Sequence, residues 1–122
     1  VSPVCLAELD LDRLLAHMAS SYPVRPVPRF PPVLEDVALV VEEGVPAAAL
    51  SAAIRAAGGP LLADVRLFDV YRGEQLASGK KSLAFSLAFQ AADRTLTDAE
   101  VEAEKRRILE AVSRELGALL RG

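Results

Sequence analysis

The amino-acid sequence predicts an α+β domain in which two helices cover one face of a four-stranded antiparallel sheet. A hairpin-like stretch, residues 67–89, alternates in character with the period of two that is typical of strands. Two further segments have helical periodicity together with recognisable start or stop signals. The predicted order is strand, helix, strand, strand, helix, strand, which is the split β-α-β arrangement called ferredoxin-like.

The first 34 residues are predicted to be an appendage and a connector. Residues 1–21 combine a short apolar, strand-like run with Leu11, Leu14 and Leu15 at helical spacing. Residues 22–34 contain five prolines, and each proline fixes its own φ and pushes the preceding residue toward extended geometry. This segment should therefore be an extended connector, and the folded domain should occupy residues 35–122.

The first strand and first helix of the domain follow the connector. Residues 37–41 form an apolar run of strand length. Pro46 is predicted to start a helix, because proline is favoured at the first helical position, and Gly58 and Gly59 are predicted to end it. The apolar residues of this helix fall on one face; they are Ala47, Leu50, Ile54 and Ala57.

Residues 61–71 and 81–90 are predicted to be the hairpin strands, joined by a loop over 72–80. Because successive side chains of a strand point to opposite sides of the sheet, Asp69 and Tyr71 should share one face while Phe68 and Val70 take the other. The second strand has an apolar face and a small-residue face, namely Leu83, Phe85, Leu87 and Phe89 against Ser82, Ala84, Ser86 and Ala88. The helices should cover the apolar face and leave the face with Asp69, Tyr71 and Ser82 open.

The second helix is predicted to start at Thr97, which forms a capping box with Glu100. Its apolar stripe is interrupted at Glu104 and Lys105; the members of the stripe are Val101, Ile108, Leu109, Val112 and Leu116. Beyond Gly117, residues 118–121 are enough for a short final strand.

Composition excludes several classes of protein. The 52% content of hydrophobic residues excludes disorder, and no apolar run approaches the length of a membrane span, so we expect a cytoplasmic protein with no membrane partner. The net charge of −3 argues against a free-standing nucleic-acid binder, although residues 66–81 are locally basic.

His17 and Cys5 are the only residues of their types, too few for a zinc site or a catalytic triad. Val1 stands in the place of an initiator methionine, which suggests a fragment or processed chain.

The loop between the hairpin strands does not match a nucleotide-binding loop. Five residues separate Gly73 from Gly79, whereas the Walker spacing requires four. Lys81 follows Lys80 where that motif needs serine or threonine. The loop also joins two strands and opens no helix.

Four ordered sequence blocks resemble the C-terminal anticodon-binding domain of the bacterial phenylalanyl-tRNA synthetase β subunit. The blocks are RFPPVLEDVALVV, GPLLADVRLFDVYRG, GKKSLAFSLAF and RTLTDAEV, and the resemblance runs from about Tyr22 to the end of the chain. The opening VCLAELDLDRLL is similar to the end of the preceding, catalytic-like module of that subunit. The resemblance implies that the chain binds the anticodon stem-loop of tRNA(Phe), beside the rest of the β subunit and the α subunit of an α2β2 ligase.

The resemblance also implies roles for individual residues on the open sheet face. Tyr71 would stack on the first anticodon base, and Asp69 and Ser82 would bind polar groups nearby. This chain departs from the family in one place, because Glu35 stands before Asp36 where the family commonly has arginine, which weakens a phosphate contact there. ATP and Mg²⁺ would serve the parent ligase outside this chain, so no cofactor, metal or catalytic residue is expected here.

Four basic residues are candidate contacts to RNA. Arg72, Lys80 and Lys81 lie in or beside the hairpin loop, and Arg94 lies just before the second helix. As phosphate contacts they would add affinity without base specificity, whereas the commoner role of such side chains is a solvated charge. Two other functions stay open from the residues alone: a ferredoxin-like regulatory domain that binds a small metabolite or pairs with itself, and an acyl-phosphate hydrolase. The second would need an arginine in a phosphate-cradling glycine loop, which the sequence does not show.

Overall fold

The computed structural model describes residues 3–22, 24 and 27–121. In chain order the elements of this part are α1 (Leu11–Ala16), β1 (Val33–Glu42), α2 (Ala47–Ala57), β2 (Leu62–Tyr71), β3 (Lys80–Phe89), α3 (Asp98–Leu116) and β4 (Leu119–Leu120). A 3-10 turn, Gly59–Leu61, joins α2 to β2. From β1 onward this is the predicted order of elements.

The four strands form one antiparallel sheet in the order β2-β3-β1-β4. The central pair β1 and β3 is aligned from Val33 opposite Phe89 to Glu42 opposite Lys80. Both α2 and α3 pack on the same side of this sheet, and the fold is therefore the predicted ferredoxin-like α+β arrangement. β1 begins four residues before the predicted strand, because β3 is long enough to offer each of these residues a partner.

The core lies between the sheet and the two large helices. Phe85 and Phe89 are fully buried there, as the alternation along β3 predicted. The other large, fully buried side chains come from β1, β3, α2 and α3: Leu39, Val41, Leu83, Leu87, Leu50, Ile54, Ile108 and Val112. Burying a side chain of this size contributes roughly 1.5–3 kcal/mol. The same burial fixes which face of the sheet is left open.

The ends of α3 follow the sequence signals. The Glu100 backbone N–H donates to Thr97 Oγ1 at 3.4 Å, and the Thr97 N–H donates to the Glu100 carboxylate at 2.9 Å, which confirms the capping box. Gly117 ends the helix with φ 63°, a left-handed conformation that glycine adopts without strain. The break in the apolar stripe has a reason too, since the Lys105 ammonium lies 2.9 Å from Glu35 on β1.

The predicted face of Phe68 is wrong. Leu67 lies opposite Phe85 and Asp69 lies opposite Ala84, so Phe68 is the extra residue of a β-bulge. A bulge resets the alternation, and Phe68 therefore does not share a face with Val70. It lines a shallow depression together with small residues of the open face, Ala38 and Ala84.

The appendage also differs from its prediction. Residues 3–10 form no strand, because no segment in the described part of the chain supplies the partner that a strand needs. The helix α1 does form at the predicted leucines, and the Asp10 carboxylate caps it by accepting from the Arg13 N–H at 3.1 Å. None of its residues is buried. Residues 23, 25 and 26 of the predicted connector lie outside the described part of the chain.

No helix in the described part of the chain is long and apolar enough to cross a membrane.

Candidate functional site

The face of the sheet away from the helices has a floor of small side chains, as predicted. The β3 residues on this side are Ser82, Ala84, Ser86 and Ala88, and β3 lies between β2 and β1. Ala38 of β1 lies opposite Ala84, which extends the floor toward the next strand. Because β3 places no bulky side chain on this face, a flat group can approach the backbone of that strand closely.

Tyr71 and Arg121 meet above this floor. Tyr71 is the last residue of β2, opposite Ser82. Arg121 directly follows β4 at the other edge of the sheet, where its backbone N–H donates to the Ala38 carbonyl at 2.8 Å. Three strand spacings, about 14 Å, separate β2 from β4. Even so, the guanidinium carbon lies 4.6 Å from the centroid of the tyrosine ring, so the two side chains span the open face and form a cation–π contact.

The β2–β3 loop holds both members of this pair. The tyrosine ring leans over Gly73, where an added Cβ would lie 2.3 Å from the phenol oxygen of Tyr71. Only a residue without a side chain allows this position of the ring. On the other side, Arg121 Nη2 donates to Gln75 Oε1 at 2.8 Å. The loop therefore sets the orientation of the aromatic ring and of the cation above it.

Asp69 and Ser82 flank Tyr71, as the sequence predicted. Asp69 is exposed and points to the open face two residues before the tyrosine. Ser82 lies between Tyr71 on one side and Val40 on the other, and it is only 3% exposed. The structure thus gathers a carboxylate, a phenol and a shielded hydroxyl at one end of the sheet. These are hydrogen-bonding groups suited to the edge of a heterocycle.

Two of the four predicted phosphate contacts pair with acidic residues at the end of β1, Glu42 and Glu43. Arg72 forms a two-pronged pair with Glu43, with Nη2 to Oε1 at 2.7 Å and Nε to Oε2 at 3.1 Å. This guanidinium lowers the pKa of Glu43 below its usual value. Lys80 Nζ lies 3.2 Å from Glu42 Oε1 on the neighbouring strand. Each of these cations would have to leave a carboxylate to reach a phosphate.

The other two predicted phosphate contacts are also held in place. Lys81 is 8% exposed, and its ammonium donates to the Glu43 carbonyl at 2.8 Å on the side of the sheet that faces away from Tyr71. Arg94 lies 2.6 Å from Glu100 and 3.1 Å from Asp93. Each of the four side chains therefore has a partner within the domain, and none of them is free to bind a phosphate beside Asp69 and Tyr71. Their contacts to RNA stay predictions.

The position where the family commonly has arginine lies away from the open face. Glu35 is opposite Leu87, and the side chain of Leu87 is in the core. The carboxylate of Glu35 pairs with Lys105 of α3. This pairing raises the pKa of Lys105 above its usual value. Asp36, the next residue, lies opposite Ser86 and points to the open face.

Comparison with known proteins places this arrangement in a family. The family model described as ferredoxin-fold anticodon binding domain matches residues 28–121. The chain belongs to this family. The resemblance read from the four sequence blocks is thereby confirmed, and the matched residues include all four strands of the sheet.

Relatives of this anticodon-binding domain are found within much longer proteins. The phenylalanine–tRNA ligase beta subunit of Geobacillus kaustophilus is 54% identical over 115 residues, which are 94% of this chain and 14% of that subunit. The same subunit of Symbiobacterium thermophilum is 52% identical over 118 residues, 97% of this chain and 13% of the relative. The chain spans about one seventh of the length of these curated relatives.

Sequence reasoning missed two residues of the open face, Arg121 and Phe68. Arg121 reaches Tyr71 only because β4 pairs with β1, and the one signal in the sequence is a basic residue directly after the predicted final strand. Phe68 is 53% exposed because of the bulge, which the alternation of residue types conceals. Within the described part of the domain, no three His, Cys, Asp or Glu side chains come together in a way that could hold a metal ion.

Proposed function

We propose that this domain recognises the anticodon stem-loop of tRNA(Phe) as part of a phenylalanine–tRNA ligase β subunit. The family description and the names of the relatives support this assignment. The observation that carries it is the open end of the sheet, where Tyr71, Asp69 and Ser82 surround a floor of small residues. An unpaired base offers a flat surface and a polar edge, and this site has a group for each.

In this mechanism an unpaired anticodon base stacks on the ring of Tyr71. Such stacking is worth about 1–3 kcal/mol per base. The Asp69 carboxylate accepts hydrogen bonds from ring N–H or amino groups at the edge of the base, and the Ser82 hydroxyl donates or accepts beside it. Together these contacts read one base by shape and by the pattern of donors on its edge.

The position of Arg121 suggests how the base enters. A guanidinium stacks on bases as readily as on aromatic side chains, so the base takes the space between Tyr71 and Arg121. The separation of ring and cation then widens from 4.6 Å to about 7 Å, two van der Waals contacts of about 3.5 Å each. Ser82 is only 3% exposed in the free domain, so its hydroxyl reaches the base only if this movement uncovers it.

The charges of the domain fit a module that works while attached to a larger enzyme. The net charge is −3, and Arg72 and Lys80 are paired with carboxylates, so these two residues attract phosphates weakly, whereas Arg121 supplies a cation on the open face. Attachment to a ligase that already holds the tRNA would raise the effective concentration of the anticodon at this surface. We assign ATP, Mg²⁺, the contacts of an α2β2 assembly and the chemical step to the rest of that cytoplasmic enzyme.

A binding experiment tests the stacking role. Fluorescence anisotropy at low salt would compare a labelled anticodon stem-loop with one that lacks the first anticodon base. Tyr71→Ala should weaken binding of the intact RNA about five-fold or more and leave binding of the abasic RNA nearly unchanged. Tyr22→Ala, which removes an exposed aromatic outside the sheet, is the matched control. Equal weakening of both RNAs by Tyr71→Ala would contradict stacking on that base.

A further inference from the structure

We propose that Phe68 is a second stacking platform, which binds the unpaired base next to the one on Tyr71. The proposal rests on the proposed function and adds a second subsite to the same sheet face. Its ligand is a nucleobase of the same RNA strand, recognised by its aromatic surface.

The β-bulge turns Phe68 toward the open face. Leu67 faces the core residue Phe85, and two residues later Asp69 faces Ala84 on the opposite side. A regular strand could not place both in this way, so the extra residue between them resets the direction of the side chains that follow. Bulges are used in this way beside binding sites to redirect a side chain, at the cost of a disturbed ladder of hydrogen bonds.

Phe68 contributes little to the core on this face. Its side chain is 53% exposed, whereas Phe85 and Phe89 are fully buried by the helices. An exposed phenylalanine on a surface of small residues gains too little from packing to offset the hydrogen bonds that a bulge disturbs. A ligand that covers the ring would supply the missing burial.

The surroundings of Phe68 suit a base. The ring lines a depression together with the small residues Ala38 and Ala84, and the charged residues Asp36, Lys105 and Arg121 line it as well. The carboxylate of Asp36 can accept from the polar edge of a base, and the Arg121 cation can contact a base or a phosphate. Arg121 belongs to this depression and also lies over Tyr71, so the two subsites are continuous.

The spacing of the two aromatic residues fits bases that are splayed apart. Phe68 and Tyr71 are three positions apart in β2, which corresponds to about 10 Å at about 3.3 Å per residue. Bases stacked in a helix are about 3.4 Å apart, so a continuous stack would not reach both rings. Two neighbouring loop bases that are splayed apart on the sheet would reach both rings, with the Arg121 guanidinium between the two bases. Related sheet surfaces in RNA-binding proteins hold two or three bases on separate aromatics.

NMR spectroscopy of the 122-residue chain tests this subsite, because it detects weak binding. The chain has four phenylalanines, so the ring signals of Phe68 can be assigned by their loss in Phe68→Leu. Titration with an anticodon stem-loop should shift the ring protons of both Phe68 and Tyr71 upfield, as stacking on a base requires. Phe68→Leu should weaken binding about five-fold or more, whereas Tyr22→Leu should not change it.

The outcomes separate this proposal from the function on which it rests. If the Tyr71 signals shift while those of Phe68 stay in place, or if Phe68→Leu binds like the wild type, the second subsite is refuted and the first stands. If neither ring responds at millimolar RNA, the open face does not bind the anticodon and both proposals fail. The slope of affinity against salt concentration should be the same for Phe68→Leu and the wild type, since no phosphate contact is removed.

Discussion

The contact between Arg121 and Tyr71 should be measurable in the free domain as a coupling free energy. A double-mutant cycle would combine Arg121→Ala with Tyr71→Ala and compare the free energies of unfolding of the four proteins. The cation lies 4.6 Å from the ring centroid at a partly exposed site, for which a coupling of about 0.5–1 kcal/mol is expected. The hydrogen bond from Arg121 to Gln75 is lost in both Arg121→Ala proteins and cancels in the cycle. Arg121→Ala alone should cost roughly 1–2 kcal/mol, because it loses the hydrogen bond as well.

Urea unfolding followed by circular dichroism gives the four free energies, since the chain has no tryptophan to report by fluorescence. Arg114→Ala is the matched control, because it removes an exposed arginine from the last turn of α3. Paired with Tyr71→Ala it should be additive within about 0.3–0.5 kcal/mol. A coupling between Arg121 and Tyr71 that is indistinguishable from zero would show that the guanidinium does not rest on the ring, and the base-entry mechanism would lose its starting geometry.

Three other substitutions test the loop, the core and the start of α3. Gly73→Ala should push the Tyr71 ring aside, because the new Cβ would lie 2.3 Å from its phenol oxygen. The RNA affinity measured by anisotropy should then fall, while the urea midpoint of unfolding changes little. An unchanged affinity would argue against this ring position. Phe85→Ala should lower the free energy of unfolding by about 3–5 kcal/mol, whereas Phe68→Ala should lower it by about 1 kcal/mol or less. Similar losses for the two variants would contradict the assignment of Phe85 to the core and of Phe68 to the open face. The Thr97 N–H, followed by Arg94, lowers the pKa of Glu100 from 4.5 to about 2, so its stabilising contribution is complete above pH 4.5 and is lost as the pH falls toward 2. Glu100→Gln should therefore flatten the dependence of the urea midpoint on pH in this window, whereas Glu115→Gln should leave it unchanged, and parallel curves for Glu100→Gln and the wild type would refute the shift.

The parts of the fold that could be predicted are those with local signals. The capping box of Thr97 and Glu100 spans four residues of sequence, and the faces of β3 follow from alternation over its ten residues. Gly58 ends α2 in the way its position suggested. The order of these elements then leaves few topologies, because the sheet must be covered by both helices on one side.

The parts that could not be predicted depend on pairing between distant residues. The bulge at Phe68 exists only in relation to β3, since Leu67 and Asp69 each keep a partner there and the residue between them does not. The apolar run near the start fails as a strand for the same kind of reason, because alternation creates a strand only where a partner edge is available. The pattern of residue types describes one strand at a time, whereas the register is a property of two paired strands and cannot be read from either strand alone.

The candidate site divides in a similar way. Tyr71, Asp69 and Ser82 lie together because two adjacent strands of one hairpin hold them, and the family resemblance named all three. Arg121 comes from the other edge of the sheet, fifty residues after Tyr71 in the sequence. Neither periodicity nor a motif connects the two, and the contact became visible only with the position of β4.

The pairing of the basic residues bears on how such a domain could discriminate between tRNAs. Cations that contact phosphates bind every sequence alike, so they would raise the affinity for wrong and right anticodons together. Here Arg72 and Lys80 are paired with carboxylates and Lys81 is buried, so under the proposed function the open face would bind RNA through stacking, edge contacts and the Arg121 cation. If the proposal holds, a base that fits these contacts would gain about 1–3 kcal/mol from stacking, and one that leaves Asp69 or Ser82 without a partner would lose part of it. Under the proposed function, a weak general attraction to phosphates would leave the discrimination between tRNAs to the contacts with the base.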